Sequence, residues 1–363
     1  MREFRGVKKI LVIKLRHIGD VLLTVPVFRA LREKFPDAHI AALVNSGTED
    51  VLTGNPLIDE VIVFDRNIKR QGVIGRVERE LAFLLMLRKK HFDMAVDLTS
   101  GDRAAVISFA SGARYRIAYN PLGSGFAGKR YIYTHLGEKN EKQHMVLQNL
   151  DLIRQFGIST DNLKVDFHIS DDAMSFAKNI FENNGIMADD KVVHIHPTSR
   201  WFFKCWKDEY MAEAIKWLIE RDNIKVIVTS SPDAREIDRA KRILSLVGYR
   251  PSAISRRLID LCGKTTIKQL GAISKSSNLF LGVDSAPMHI AAAVGTTVVA
   301  LFAMTDEVQW GPWNNGKHHV IREKMECMPC PKGGCEGIPL RKCMEAIKPD
   351  AVKNIIKARL FDV

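Results

Sequence analysis

The sequence predicts an α/β protein made of two halves, each a parallel sheet covered by helices. Three observations carry this. Short runs of Val, Ile, Leu and Ala recur as segments apolar on both faces, as parallel strands sandwiched between helices must be. Amphipathic helical stretches separate them, so strand and helix alternate along the chain. The stretch Phe280–Phe302 compresses strand, turn, helix and strand into a single βαβ unit. At 363 residues the chain is long enough for two such halves, each with its own core.

In the first half, Lys9–Leu15 is a nearly continuous apolar strand, followed by the tight loop Arg16-His-Ile-Gly-Asp20. That loop lies at the carboxyl end of a strand, where function concentrates in open parallel sheets. Asp20 is placed there to do chemistry, although the same spacing suits a helix N-cap. Val21–Lys34 carries a helical pattern through Leu22, Val25, Phe28 and Leu31, with Pro26 kinking it or delaying its regular part. Further strands are expected at Ile40–Val44, Val61–Phe64, Met94–Leu98 and Arg116–Ala118, with a helix over Val77–Lys90. Tyr119–Lys139, rich in Gly, Tyr and basic residues, reads as a long loop. With Arg103, Arg114 and Arg116 it could grip an anionic acceptor or simply form a solvated basic surface. Gln143–Phe156 is a helix and Asn162–Asp190 the connection onward, with the boundary near Ser170.

The second half opens with the strand Lys191–His196 and the loop Pro197–Trp206, then an amphipathic helix over Lys207–Arg221. Lys225–Thr229 is the next strand, and a helix carrying Glu236 follows. Leu261–Thr266, containing Thr265, leads into a helix through Leu270 and Ile273. Leu279–Val283 is a buried strand that stops at Asp284. Ser285 can cap the next helix, Pro287 sits in its first turn where a missing N–H leaves no bond unmade, and Gly295 closes it. Such a turn offers free amides and a helix dipole to phosphate, so a nucleoside diphosphate is its natural guest. Asp284 and His289 flank it; their plainer readings are a cap and a helix-surface residue. Near the C-terminus, Cys327, Cys330, Cys335 and Cys343 have spacings that suit either a zinc site or reduced thiols packing an irregular loop, and a helix over Pro349–Leu360 follows.

Composition narrows the partners. Hydrophobic content of 46% and 26% charge are those of a soluble globular protein. The apolar run Ile10–Ile13 is too short for a signal peptide, and Pro287, His289 and Gly295 interrupt the longest uncharged stretch, so no transmembrane segment is expected. The expected compartment is the cytoplasm. A net charge of +12 favours anionic partners, but no zinc-finger or RNP-type motif accompanies it, so nucleic acid is not the expected one.

Three motifs carry a family resemblance: Ile13-Lys-Leu-Arg-His-Ile-Gly-Asp-Val-Leu-Leu-Thr-Val-Pro26, His196-Pro-Thr-Ser-Arg-Trp-Phe-Phe-Lys-Cys-Trp206 and Gly282-Val-Asp-Ser-Ala-Pro-Met-His-Ile-Ala-Ala292. Together they resemble the glycosyltransferase family 9 heptosyltransferases, and within that family the lipopolysaccharide heptosyltransferase III subgroup. The resemblance implies a GT-B fold, with two Rossmann-like domains facing across a cleft. It places an acceptor domain at 1–170, an ADP-heptose domain at 171–345 and a C-terminal helix, 346–363, returning to the first domain.

The activity it implies is inverting transfer of L-glycero-D-manno-heptose from ADP-heptose to a heptose of the lipopolysaccharide inner core, the third core heptose in this subgroup. Carried over by position, Asp20 matches the general base and Gly19 its tight turn. Lys204 matches the lysine on the donor diphosphate, and Thr198 and Ser199 match hydroxyls near the phosphates. Asp284, Ser285, Ala286 and His289 match the donor turn, Thr265 lies with the donor-binding loops, and Glu236 aligns with an acid on the ribose. No Asp-x-Asp pair occurs in the donor half, in keeping with a mechanism using neither metal nor cofactor. An acceptor in an anionic membrane would make the protein peripheral on the cytoplasmic face of the inner membrane. The alternatives are a sugar-nucleotide epimerase of the same fold and a basic nucleic-acid-binding protein.

Overall fold

The computed structural model describes residues 4–65, 73–248, 257–313, 318–327, 335 and 342–361, and the chain divides into two compact units, Met1–His168 and Ile169–Val363. The first unit contains β1 (Lys9–Lys14), α1 (Ile18–Leu22), α2 (Val25–Lys34), β2 (His39–Asn45), β3 (Glu60–Phe64), α3 (Val73–Lys89), β4 (Met94–Asp97), α4 (Asp102–Ala110), β5 (Tyr115–Tyr119), β6 (His135–Gly137) and α5 (Met145–Arg154). The second contains α6 (Asp171–Asn183), β7 (Lys191–His196), α7 (Asp208–Ile219), β8 (Ile224–Ser230), α8 (Ala234–Val247), β9 (Leu258–Cys262), α9 (Ile267–Lys275), β10 (Leu279–Val283), α10 (Ala286–Ala293), β11 (Thr297–Leu301), α11 (Glu307–Trp310), β12 (His318–Ile321), α12 (Lys342–Ala346) and α13 (Pro349–Leu360).

Among the described residues each unit holds one six-stranded sheet, in the orders β3-β2-β1-β4-β5-β6 and β12-β11-β10-β7-β8-β9, and all ten strand pairings within them are parallel. The strand order reverses between β1 and β4 in the first sheet and between β7 and β10 in the second. In open α/β sheets, ligands bind beyond the carboxyl ends of the strands at such reversals. The fold alone therefore singles out the loops after β1 and β4, and those after β7 and β10.

The strands form because they can be buried on both faces. All five residues of β10 are buried. Gly282 has no Cβ because one would meet the Phe280 ring at 2.6 Å and the His196 carbonyl at 3.1 Å, so this strand lies tight against β7. In the first unit, Phe83, Leu84 and Leu87 of α3 and Ala104 and Ile107 of α4 pack on the apolar residues of β1, β2 and β4. In the second, Val352, Ile356 and Leu360 of α13 join the core formed by α7, β7, β8 and β10. The Trp206 indole N–H donates to the Ile347 carbonyl at 2.9 Å, which ties the loop after β7 to the start of that last helix.

The local expectations mostly hold. Pro26 delays the regular helix: α1 stops at Leu22 and α2 restarts at Val25 with the proline in its first turn. Two segments are more ordered than expected. The loop Tyr119–Lys139 contains the edge strand β6, and the connection Asn162–Asp190 contains α6, capped by the Ser170 hydroxyl accepting from the Ala173 amide. The apolar side of α13 is buried in the core of the second unit, and the contacts place the helix there.

A buried polar chain crosses the second sheet. His194 Nδ1 lies 2.8 Å from the Ser274 hydroxyl and Nε2 lies 2.8 Å from that of Thr229, which is also 2.9 Å from His196 Nδ1. Burial lowers both imidazoles from 6.5 to about 3. They are neutral when folded, while the unfolded chain takes up protons below 6.5. Their contribution to stability is complete above 6.5 and is lost progressively as pH falls toward 3. The melting temperature should drop over that window, and replacing both histidines by glutamine should flatten the pH dependence, as calorimetry would show.

Candidate active site

In the first unit, the loop after β1 and the loop after β4 are tied together. The Leu15 amide donates to the Thr99 hydroxyl at 2.8 Å and Arg16 Nη2 to the Thr99 carbonyl at 3.2 Å. Asp20 is the third residue of α1, whose N-cap is His17, so the capping role is ruled out. Its carboxylate is half-buried, and no protein donor takes it among the described residues. Gly19 is buried within α1 and does not have a left-handed backbone.

Behind this loop lies a buried lysine. Lys14 Nζ donates to the Leu98 carbonyl at 3.0 Å and Asn149 Oδ1 at 2.9 Å. Burial pulls its pKa down to about 8 against the opposing field of the Asp20 carboxylate. Next to it, burial raises the pKa of Asp97, which accepts from Tyr133 Oη at 2.5 Å and from the Thr99 and Ser100 amides. The basic residues proposed to grip an acceptor are occupied locally. Arg114 donates to the carbonyls of Arg5 and Gly6, Arg116 to those of Ala113 and Ile132, and Arg103 pairs with Glu80 at 3.5 Å.

In the second unit, the strand-order reversal holds a three-residue cluster. Lys204, in a 3-10 turn, puts Nζ 2.6 Å from Asp284 Oδ2, and the Thr305 hydroxyl donates to the same oxygen at 2.5 Å. Asp284 is 6% exposed, so these partners supply hydrogen bonds that water cannot reach to make. α10 starts immediately beyond it. Ser285 holds the N-cap position, but its hydroxyl donates back to the Val283 carbonyl at 3.1 Å, leaving the helix without a side-chain cap. An uncapped N-terminus beside a lysine is a site for an anion.

A family model described as Glycosyltransferase family 9 (heptosyltransferase) matches residues 81–338, well over half of the chain. The chain belongs to glycosyltransferase family 9. This heptosyltransferase is 33% identical to lipopolysaccharide heptosyltransferase 3 of Escherichia coli K12 over 82% of its own length and 83% of that relative. Its fold is similar to that of a family 9 glycosyltransferase from Veillonella parvula, with a TM-score of 0.81 and 21% identity over 98% of both chains. The E. coli heptosyltransferase WaaC, solved with ADP-2-deoxy-2-fluoro heptose, superposes with a TM-score of 0.72 at 18% identity, covering 96% of this chain and 99% of that one.

The other residues read from the sequence line the same carboxyl edge of the heptosyltransferase's second sheet. Thr198 is fully buried after β7, and Thr265 stands after β9; the hydroxyl of each is buried with no partner among the described residues. Ser199 accepts from the Trp201 amide at 3.3 Å and so shapes the turn. Glu236 is buried in the first turn of α8. His289 is buried, not on the helix surface, and Ala286 opens α10. Cys327, Cys335 and Cys343 are free thiols, whereas Cys330 lies outside the described residues; among the described residues no group of three or more ligands could hold a metal.

Thr305 escaped the sequence reading, although it follows β11 onto the same edge. Thr305→Val is expected to lower kcat/KM by about tenfold, because a charge-assisted bond that fixes Asp284 is lost. Thr305→Ser should restore it; steady-state kinetics of the pair would decide.

Proposed function

We propose that the enzyme transfers L-glycero-D-manno-heptose from ADP-heptose to the lipopolysaccharide inner core, with the third core heptose as product, inverting the anomeric carbon and acting at the cytoplasmic face of the membrane. The observation that carries this is the Lys204–Asp284 pair beside the uncapped start of α10. A diphosphate leaving group gathers negative charge as its bond to the sugar breaks, and a lysine with free helix amides neutralises it. The relatives support the substrate class: the K12 protein is named for lipopolysaccharide, and WaaC was solved with an ADP-heptose analogue.

The acceptor hydroxyl needs a base as its oxygen bonds to the anomeric carbon and the carbon–oxygen bond to ADP breaks. Asp20 takes that proton. Its carboxylate at the first unit's strand-order reversal, without a protein donor among the described residues, supports the role. Incubating the purified enzyme with ADP-heptose and core acceptors truncated at successive heptoses tests the reading. Transfer should occur only to the core that lacks its third heptose; transfer to a different truncation would reassign the acceptor.

A further inference from the structure

We propose that the outward faces of α3 and α4, with the turn Lys129–Ile132 beside them, dock on an anionic lipid surface. The inference rests on the reading above, in which the acceptor is lipid-borne.

Helix α3 is apolar on both sides. Its inner face packs on the sheet through Phe83, Leu84 and Leu87. Its outer face presents Val77, Leu81 and Leu85 at four-residue intervals, each more than half exposed. A helix on the surface of a globular protein carries polar residues there. The pattern continues on α4 with Phe109, 60% exposed, and in the adjacent turn with Tyr131, 80% exposed. Of the 14 exposed large apolar residues among the described ones, eight fall between 77 and 131.

These segments adjoin, and arginines accompany the rings. Arg103 of α4 pairs with Glu80 of α3 at 3.5 Å. Arg116 lies 5.7 Å from the centre of the Phe109 ring and donates to the Ile132 carbonyl at 2.5 Å, and Arg130 lies 5.6 Å from the Tyr131 ring. Among the described residues neither Arg116 nor Arg130 pairs with a carboxylate. Residues 76–131 contain 10 Lys and Arg against five Asp and Glu.

Exposed Leu and aromatic rings bordered by guanidinium groups are the composition of an interfacial membrane contact, with the apolar parts entering the headgroup boundary and the cations meeting lipid phosphates. A second copy of this face would instead set Arg116 and Arg130, neither with a carboxylate partner among the described residues, against their own counterparts.

Flotation of the full chain with vesicles tests the proposal. It should bind vesicles of phosphatidylcholine and phosphatidylglycerol at low salt, release as salt rises, and bind pure phosphatidylcholine weakly. Leu81→Glu with Phe109→Glu should cut the bound fraction about tenfold and Arg130→Glu should weaken it further, while turnover on a water-soluble, deacylated core oligosaccharide stays unchanged. Undiminished binding by these variants would overturn the proposal, as would a dimer in light scattering that the variants split. Transfer to the soluble oligosaccharide without vesicle binding would sink the docking surface alone. Vesicle binding that obeys these variants, with no transfer to any core acceptor, would sink the proposed reaction and leave the surface standing.

Discussion

Replacing Asp20 by asparagine is expected to reduce turnover by about two to four orders of magnitude while leaving ADP binding intact, because only proton acceptance is lost. Asparagine keeps the size and the hydrogen-bonding shape of aspartate, and Asp20 is in the first turn of α1, clear of the N-cap position, so the helix has no reason to change. A second consequence follows from the buried lysine behind it. Burial lowers the Lys14 pKa to about 8 against the opposing field of the Asp20 carboxylate, so removing that charge should lower it further and make the lysine easier to deprotonate. Isothermal titration with ADP and a turnover assay of the same preparation separate the two properties. Near-normal turnover would remove Asp20 from the chemistry.

Lys204→Met is expected to cost about two to three orders of magnitude in kcat and to weaken ADP as well. The variant loses the cation proposed to meet the diphosphate, and it also leaves Asp284, 6% exposed, with the Thr305 hydroxyl at 2.5 Å as its one side-chain donor among the described residues. A carboxylate without its cation beside an arriving diphosphate repels it. Adding Asp284→Asn to Lys204→Met should therefore recover part of the lost ADP affinity, although Asp284→Asn alone weakens it, a non-additivity expected of residues that touch. If the two losses simply add, the pair does not act as a unit.

Most of the architecture was legible because buried parallel strands write themselves as unbroken apolar runs, as Leu279–Val283 does, and because turns such as Asp284-Ser285 carry their own chemistry. Elements without that signature were missed. β6 is three residues long and opens on a histidine; β12 begins with two. α6 had a visible signal in Ser170 followed by Asp171 and Asp172, yet lay in a segment read as a connection. The Lys204–Asp284 pair joins residues 80 positions apart, and only the family motifs brought them together beforehand. Thr305 and the His194–Thr229–Ser274 chain had no such guide, since they depend on which strands become neighbours. Ser285 illustrates the opposite case: its type and position suit a cap, but the hydroxyl turns back to Val283.

The most direct measurement of the central claim is ADP release from ADP-heptose by the purified enzyme, with and without a core acceptor. ADP should appear only when the acceptor is present, in equal amount to the heptose transferred. Conversion of the donor with no acceptor in the tube, as an epimerase would give, would contradict it.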